Sequence, residues 1–347
     1  MTDIDKQKRI KELCEKIFKK DVKDIKYCLV TNFIHQSLLE EDLCRTGLYQ
    51  WISVFRGEVK MPQQIDDYTK YDIIQVNLSG QDWNLISTIK EKVKDSNTLI
   101  VANLDYTSEV WGQTYMYPET FGREIGKADM LFGTEKFMRR TLSEITGRRV
   151  YELTHPCDTK RLKAIKCDTK EETLLTLYHR YDNAVYLPHF AVRNHGLKSI
   201  LVGYERGSDK SPYLTSTLYD DIYSATNYQE FCRQLQRSKI IYEPFTFNSP
   251  GRATKDTAAM GIPVVGSDRV LSMRKCYPFT ICDPYDTLTA RKLINKLNTD
   301  KKFYDKVVNY AYDAVEFYNL ENSMLKYLSA LNDQLFNENK EVVKNED

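Results

Sequence analysis

The stretch "EPFTFNSPGRATKDTAAMGIPVVGSD", residues 243–268, compresses three things into 26 positions: a polar Asn-Ser-Pro-Gly loop, a helix start rich in small residues, and an apolar β-branched strand. Gly251 permits close backbone approach, and the exposed N–H groups of a helix beginning near Arg252 favour an anion. Gly261 ends that helix and Pro263 opens the strand "IPVVGS" (262–267). Strand, sharp loop, helix and second strand form one unit of a parallel sheet, and such sheets collect ligands at the carboxyl ends of their strands. The same residues also suit a plain αβ connection in which Gly and Pro are only punctuation.

Working outward, short apolar runs alternate with helical ones along most of the chain. Ile10, Leu13, Cys14, Ile17 and Phe18 place an amphipathic helix over 4–20. Strands are expected at 26–33, 71–78, 98–106, 128–134 and 148–156, with helices at 83–95, 119–126 and 135–147. After a helix at 168–182 the pattern restarts, with strands at 183–190, 199–205, 238–244, 262–267 and 278–283. Helices at 227–237, 252–260 and 287–298 lie among them, and 301–335 reads as one long helix kinked near Tyr318–Glu321. Continuous apolar strands alternating with helices indicate α/β architecture with two doubly wound parallel sheets, hence two Rossmann-like domains. A length of 347 residues exceeds what a single core usually serves.

With 50 Lys and Arg against 49 Asp and Glu, the formal charge is +1, so no global field draws nucleic acid or anionic lipid. No apolar run reaches bilayer length, and the first 20 residues are too charged for a signal peptide. Eight scattered Cys without a CxxC pair read as reduced thiols in a cytoplasmic protein. The five His do not cluster at metal-ligand spacing, so no metal site is expected. The Lys-rich face of the first helix also carries Asp5, Glu12 and Glu15. It reads as a solvated face, with peripheral membrane contact the alternative.

Strand ends nominate the site residues. Glu243 closes the strand 238–244, and Asp256 lies about one turn inside the helix, placed to accept hydrogen bonds from a sugar hydroxyl. Arg193 and Lys198 flank Gly196 on the loop after the expected strand 183–190, where two cations could neutralise a diphosphate. His35, after the first strand, and Asp105 and Tyr106, ending "VANLDY", are acceptor-side candidates, with Trp111 nearby.

At "TAAMGIPVVGS" (257–267) the chain resembles the nucleotide-sugar-binding domain of retaining glycosyltransferases of the GT-B fold. That family carries a Glu-x7-Glu segment before an Ala-Met-Ala-x-Gly-x-Pro-Val run; by register its two glutamates fall on Asn248 and Asp256. Its Arg-x4-Lys diphosphate clamp falls on Arg193 and Lys198. The resemblance implies an acceptor-side domain at 1–160, a linker and first helix at 161–182, and a nucleotide-sugar domain at 183–316. A helix at 317–340 would cross back, with a frayed tail at 341–347, and the two domains would face each other across a cleft. It implies a retaining, metal-independent hexosyl transfer from a nucleotide-diphosphate sugar, with no cofactor required. Arg193, Lys198 and Asp256 would be catalytic, and Glu243, Asn248, Ser249, Gly251, Arg252 and Thr254 would bind the donor. The acceptor stays open among a glycan, a lipid-linked sugar, a small molecule and a modified DNA base of the viral type. A nucleotide-sugar epimerase and a non-catalytic nucleotide-sugar binder are the competing functions.

Overall fold

The computed structural model describes residues 2–31, 47–78, 84–104, 118–167, 169–177, 186–204, 219–225 and 228–337. The chain divides into two compact units, parting at Pro156 and Cys157 and again at Asn319 and Leu320.

In the first unit α1 (Asp3–Phe18) precedes β1 (Tyr27–Val30), α2 (Gln50–Phe55), β2 (Glu58–Lys60), β3 (Ile73–Leu78) and α3 (Leu85–Lys92). Then come β4 (Leu99–Leu104), α4 (Pro118–Ile125), β5 (Met130–Gly133), α5 (Lys136–Thr146) and β6 (Tyr151–Glu152). The six strands are parallel in the order β2-β1-β3-β4-β5-β6. α1 starts on a reciprocal cap, in which Thr2 Oγ1 accepts from Asp5 N–H and the Asp5 carboxylate accepts from Thr2 N–H. Strand alternation gives the sheet two apolar faces. Cys28, Val30, Ile74, Val76, Ile100, Ala102, Leu104 and Leu131 share one with Ile86, Ile89, Phe121, Ile125, Met138 and Leu142.

The second unit runs α6 (Thr159–Ala164), β7 (Glu171–Leu177), α7 (Tyr186–Val192), β8 (Lys198–Tyr204), β9 (Asp221–Ala225), α8 (Tyr228–Arg237) and β10 (Ser238–Glu243). It continues with α9 (Arg252–Ala259), β11 (Val264–Ser267), α10 (Leu271–Cys276), β12 (Ile281–Cys282), α11 (Thr287–Thr299) and α12 (Lys301–Ala314). Its parallel sheet is ordered β12-β11-β10-β7-β8-β9. This is the dinucleotide-fold order, and it reverses between β7 and β10.

Several elements differ from the sequence reading. Residues 171–177, expected inside a helix, are β7, and 186–192, expected within the strand 183–190, are α7. Leu174, Leu175 and Leu177 fit either period, while Thr173 and Thr176 carry the β-branched preference that the strand realises. Pro188 sits in the first turn of α7, where its missing N–H has no helical partner to lose. β9 was not foreseen, nor were α2 and β2. The segment 161–182, read as linker and first helix, carries most of α6 and all of β7.

After a 3-10 turn at Val315–Tyr318 the last helix, α13 (Leu320–Phe336), belongs to the first unit again. The kink expected near Tyr318–Glu321 is therefore the point of return. Tyr327 of α13 is fully buried on the second face of the first sheet, its ring 5.1 Å from Trp51, 5.0 Å from Phe55 and 4.9 Å from Phe132. Tyr27 stacks on Phe55 at 4.8 Å beside them. Aromatic contacts of this kind add to area burial. Tyr327→Ala is expected to cost about 3–5 kcal/mol, read as a lowered urea midpoint of the first unit's unfolding.

Candidate functional site

The second unit's sheet reverses order beside β10, which is where an open parallel sheet leaves a crevice for a ligand. β10 ends at Glu243 and α9 begins after Gly251, so the loop 244–251 lines that edge. Gly251 is the N-cap, with φ +70° and no capping side chain. A Cβ there would overlap Ser272 Oγ and Val270 Cγ1, so only glycine passes. Ser272 Oγ donates to the Gly251 carbonyl at 2.8 Å. Ser249 pairs with the turn after β11: its N–H donates to Arg269 O at 3.1 Å and its carbonyl accepts from Leu271 N–H at 2.8 Å. Its hydroxyl accepts from Gly251 N–H at 3.2 Å. The loop is thus pinned, and the first-turn N–H groups of α9 stand at the carboxyl edge of the sheet.

α9 is unusual in what it buries. Thr254, Lys255, Asp256, Thr257, Ala258 and Ala259 are all inside, including a cation and a carboxylate. Charged groups are rarely so placed unless partnered. Asp256 accepts from Tyr228 Oη at 2.6 Å and lies 3.9 Å from Arg252 Nε. Arg252 is half-buried, its guanidinium 5.1 Å over the Tyr228 ring and 5.6 Å over Phe231. Burial raises the Asp256 carboxyl to about 6, against the opposing pull of Arg252 and of the Tyr228 hydrogen bond. Glu243 is pushed up to about 7 by burial, with Thr254 Oγ1 donating to it and Arg252 opposing the rise. Burial also lowers Lys255, whose ammonium lies 5.1 Å over the Tyr318 ring.

The structure therefore brings Glu243, Ser249, Gly251, Arg252, Thr254 and Asp256 together on one edge, with Asn248 half-buried on the same loop. Thr254 serves Glu243. Tyr228, Lys255 and Ser272 escaped the sequence reading, because their links to Asp256, Tyr318 and Gly251 are tertiary. A buried "TKD" triplet was the one signal available.

Arg193 and Lys198 require a correction. Since 186–192 is helical, the loop between them leads into β8 and stands at the amino edge of the sheet. Lys198 pairs opposite Thr173 at the start of its strand, and its ammonium meets Asp221 at 3.0 Å in solvent. Roughly 3.3 Å per residue over β8 puts that edge about 20 Å from the carboxyl one. His35, Asp105 and Tyr106 lie outside the described residues.

A surface pocket of about 310 Å³ lies elsewhere, at the amino edge of the first unit, lined by Lys90, Lys127, Arg148 and Gln334 among others. Its cations are already engaged. Lys90 reaches Lys127 O at 2.7 Å, Lys127 reaches Glu124 at 2.8 Å, and Arg148 holds the carbonyls of Gly126, Ala128 and Asp129. It fastens a turn.

No protein-family model matches the chain, and no curated protein matches it. Solved structures do. HepE of Anabaena, in complex with UDP and glucose, superposes with a TM-score of 0.66 at 11% identity, covering 89% of this chain and 100% of that one. Sucrose-phosphate synthase from Thermosynechococcus elongatus gives 0.62 at 12%, covering 90% and 100%. An E. coli trehalose-6-phosphate protein bound with UDP-2-fluoro glucose gives 0.60 at 11%, covering 88% and 98%. At such identities the likeness establishes the fold: two Rossmann-like units of the GT-B type.

Two outcomes are expected at this edge. Gly251→Ala forces a β-carbon into Ser272 and Val270 and lowers stability by about 1–3 kcal/mol in chemical denaturation. Glu243 binds its proton more tightly folded than unfolded, so its contribution to stability is present below about 4.5 and is lost as pH rises toward about 7. Glu243→Gln should flatten that fall in a melting-temperature series across pH 4.5–7.

Proposed function

We propose that the chain is a glycosyltransferase that takes its sugar from a nucleotide-diphosphate donor, with UDP as the nucleotide. The observation that carries this reading is the head of α9: uncapped N–H groups and Arg252 at the carboxyl edge, with the Asp256 carboxylate buried beneath them. HepE, of the same fold, was solved with UDP and glucose, which supports the choice of nucleotide.

Departure of the diphosphate leaves negative charge on its oxygens, and groups fixed there beforehand stabilise the transition state more than the ground state. Arg252 and the α9 N–H groups take that role in place of Arg193 and Lys198. Asp256, with its carboxyl near 6, is mostly ionised at neutral pH and accepts hydrogen bonds from donor hydroxyls. Asn248 can both donate and accept on the same loop. Retention of configuration and catalysis by side-chain cations without metal belong to this proposal. So does a first unit that receives the acceptor.

A second reading, a nucleotide-sugar binder without turnover, is favoured by one contact: Tyr228 already occupies the Asp256 carboxylate at 2.6 Å. Melting temperatures with UDP, ADP, GDP and CDP, followed by hydrolysis of UDP-sugars, separate the readings. UDP should raise the melting temperature, by about 2.7 kcal/mol of stabilisation at a hundredfold excess over Kd. Arg252→Ala and Asp256→Asn should lower turnover about 10²-fold, whereas Arg193→Ala and Lys198→Ala should leave it within about twofold. Absence of a shift with every nucleotide overturns the donor site, and UDP binding without hydrolysis or transfer selects the second reading.

A further inference from the structure

The outer surface of the second unit carries a pattern that the donor edge does not use. In "FYDKVVNYAYDAVEFY" (303–318), on α12 and the 3-10 turn that prolongs it, an aromatic residue recurs every seventh position, at Phe303, Tyr310 and Phe317. Seven residues are close to two helical turns, so these rings stand in one row at steps of about 10 Å. Such a stripe ordinarily faces a core. Here the core side of the helix is already filled by Val307, Ala311 and Val315, each exposed by 1% or less, with Tyr318 buried beside them. The aromatic row lies on the outer shoulder instead: Tyr310 is 43% and Phe317 37% exposed, and Phe303 is half-buried.

Each position in the row is flanked by an ammonium. Lys296 of α11 lies 4.2 Å over the Phe303 ring. Lys306 lies 4.1 Å over Phe279, whose ring meets Tyr310 edge-on at 5.1 Å. Lys275 of α10 lies 4.7 Å over Phe317. Lys302, one turn before Lys306, and Arg274, next to Lys275, are exposed as well. Among the described residues none of Lys275, Lys296, Lys302 and Lys306 is ion-paired with a carboxylate. The nearby acids have other partners: Asp305 holds Lys301 at 2.7 Å and Glu316 holds Lys163 at 2.6 Å. Asp313 remains, so the face is positive although the whole chain is nearly neutral. An ammonium resting on a ring gains a cation–π contact but keeps its charge unbalanced, which leaves it open to an anion.

We propose that this face binds single-stranded nucleic acid, with bases against Tyr310 and Phe317 and phosphates at Lys275, Lys302 and Lys306. Every base has a π-face and every nucleotide a phosphate, so a row that alternates rings with cations matches a single strand without reading its sequence. From Phe303 to Phe317 the row spans about 21 Å, or about six stacked steps of 3.4 Å, a usual length for one single-strand site. A duplex turns its base planes inward and would answer only the cations. An acidic peptide would likewise leave the rings unmatched. Insertion into a bilayer calls for apolar side chains standing clear of the surface, whereas Tyr310 and Phe317 are more than half covered. The proposal rests on α10, α11 and α12 and not on the donor reading above.

Fluorescence anisotropy on the full chain with labelled dT10 and U10, from about 50 mM salt upward, provides the test. Both decamers should bind, within about threefold of each other, because rings and ammoniums do not read the 2′-hydroxyl. Tyr310→Ser should weaken both about tenfold through lost stacking. Lys275→Gln combined with Lys306→Gln should reduce the slope of log K against log salt by about 1.4, and it asks the same question if the serine variant fails to fold. UDP thermal shifts should be the same in parent and variants. Absence of binding by either decamer overturns the proposal, as does binding that survives both variants. Tighter binding of a hairpin duplex than of dT10 overturns it too. Equal binding of decaglutamate, lost with the lysines but kept in Tyr310→Ser, makes the face an acidic-protein surface and ends the nucleic-acid assignment.

Discussion

Between β10 and α9 the backbone turns through Gly251 at φ +70°, hard against Val270 and Ser272, where no β-carbon fits. That turn fixes the direction in which α9 leaves the sheet edge. The direction in turn decides that Asp256 and Thr254 point inward to Tyr228 and Glu243, while the first N–H groups point out. Ser249 and Ser272 hold the turn from both sides through backbone partners. The geometry of this edge thus hangs on a conformation that one residue type can adopt, supported by the hydrogen bonds of Ser249 and Ser272.

The interior of α9 is a compact electrostatic arrangement. Two carboxyls, Glu243 and Asp256, face one guanidinium at their rim and one ammonium beside Tyr318. Desolvation outweighs these attractions, so both acids hold their protons more firmly than in water. Asp256 lacks one methylene relative to the glutamate that the family resemblance places there, and the Tyr228 hydroxyl meets its carboxylate. The Asp256 carboxylate is therefore engaged by a residue on α8, twenty-eight positions earlier in the chain.

Much of this was legible in the residues themselves. "SKIIYE" and "VVGS" are apolar and β-branched, Gly251 and Gly261 bracket the small-residue helix between them, and local preference agrees with the fold throughout. The beginning of the second unit was not legible, because "EETLLTL" satisfies both periods and Pro188 can stand in a first helical turn as readily as at a strand's end. That one misassignment moved Arg193 and Lys198 from the amino edge of the sheet to the carboxyl edge. Tertiary pairings were hidden for another reason. Nothing near Tyr228 announces Asp256 until the fold makes them neighbours.

The path of the chain has its own consequence. The first unit begins at the amino terminus but is completed by α13, whose Tyr327 closes the aromatic face over Trp51, Phe55 and Phe132. Residues 157–319 lie between. On the ribosome the second unit emerges whole before the first has its last helix, so the part that starts earliest is finished last. Until then a broad aromatic surface waits uncovered, and the growing protein passes through a stage in which its earliest-made half is the one most in need of shelter.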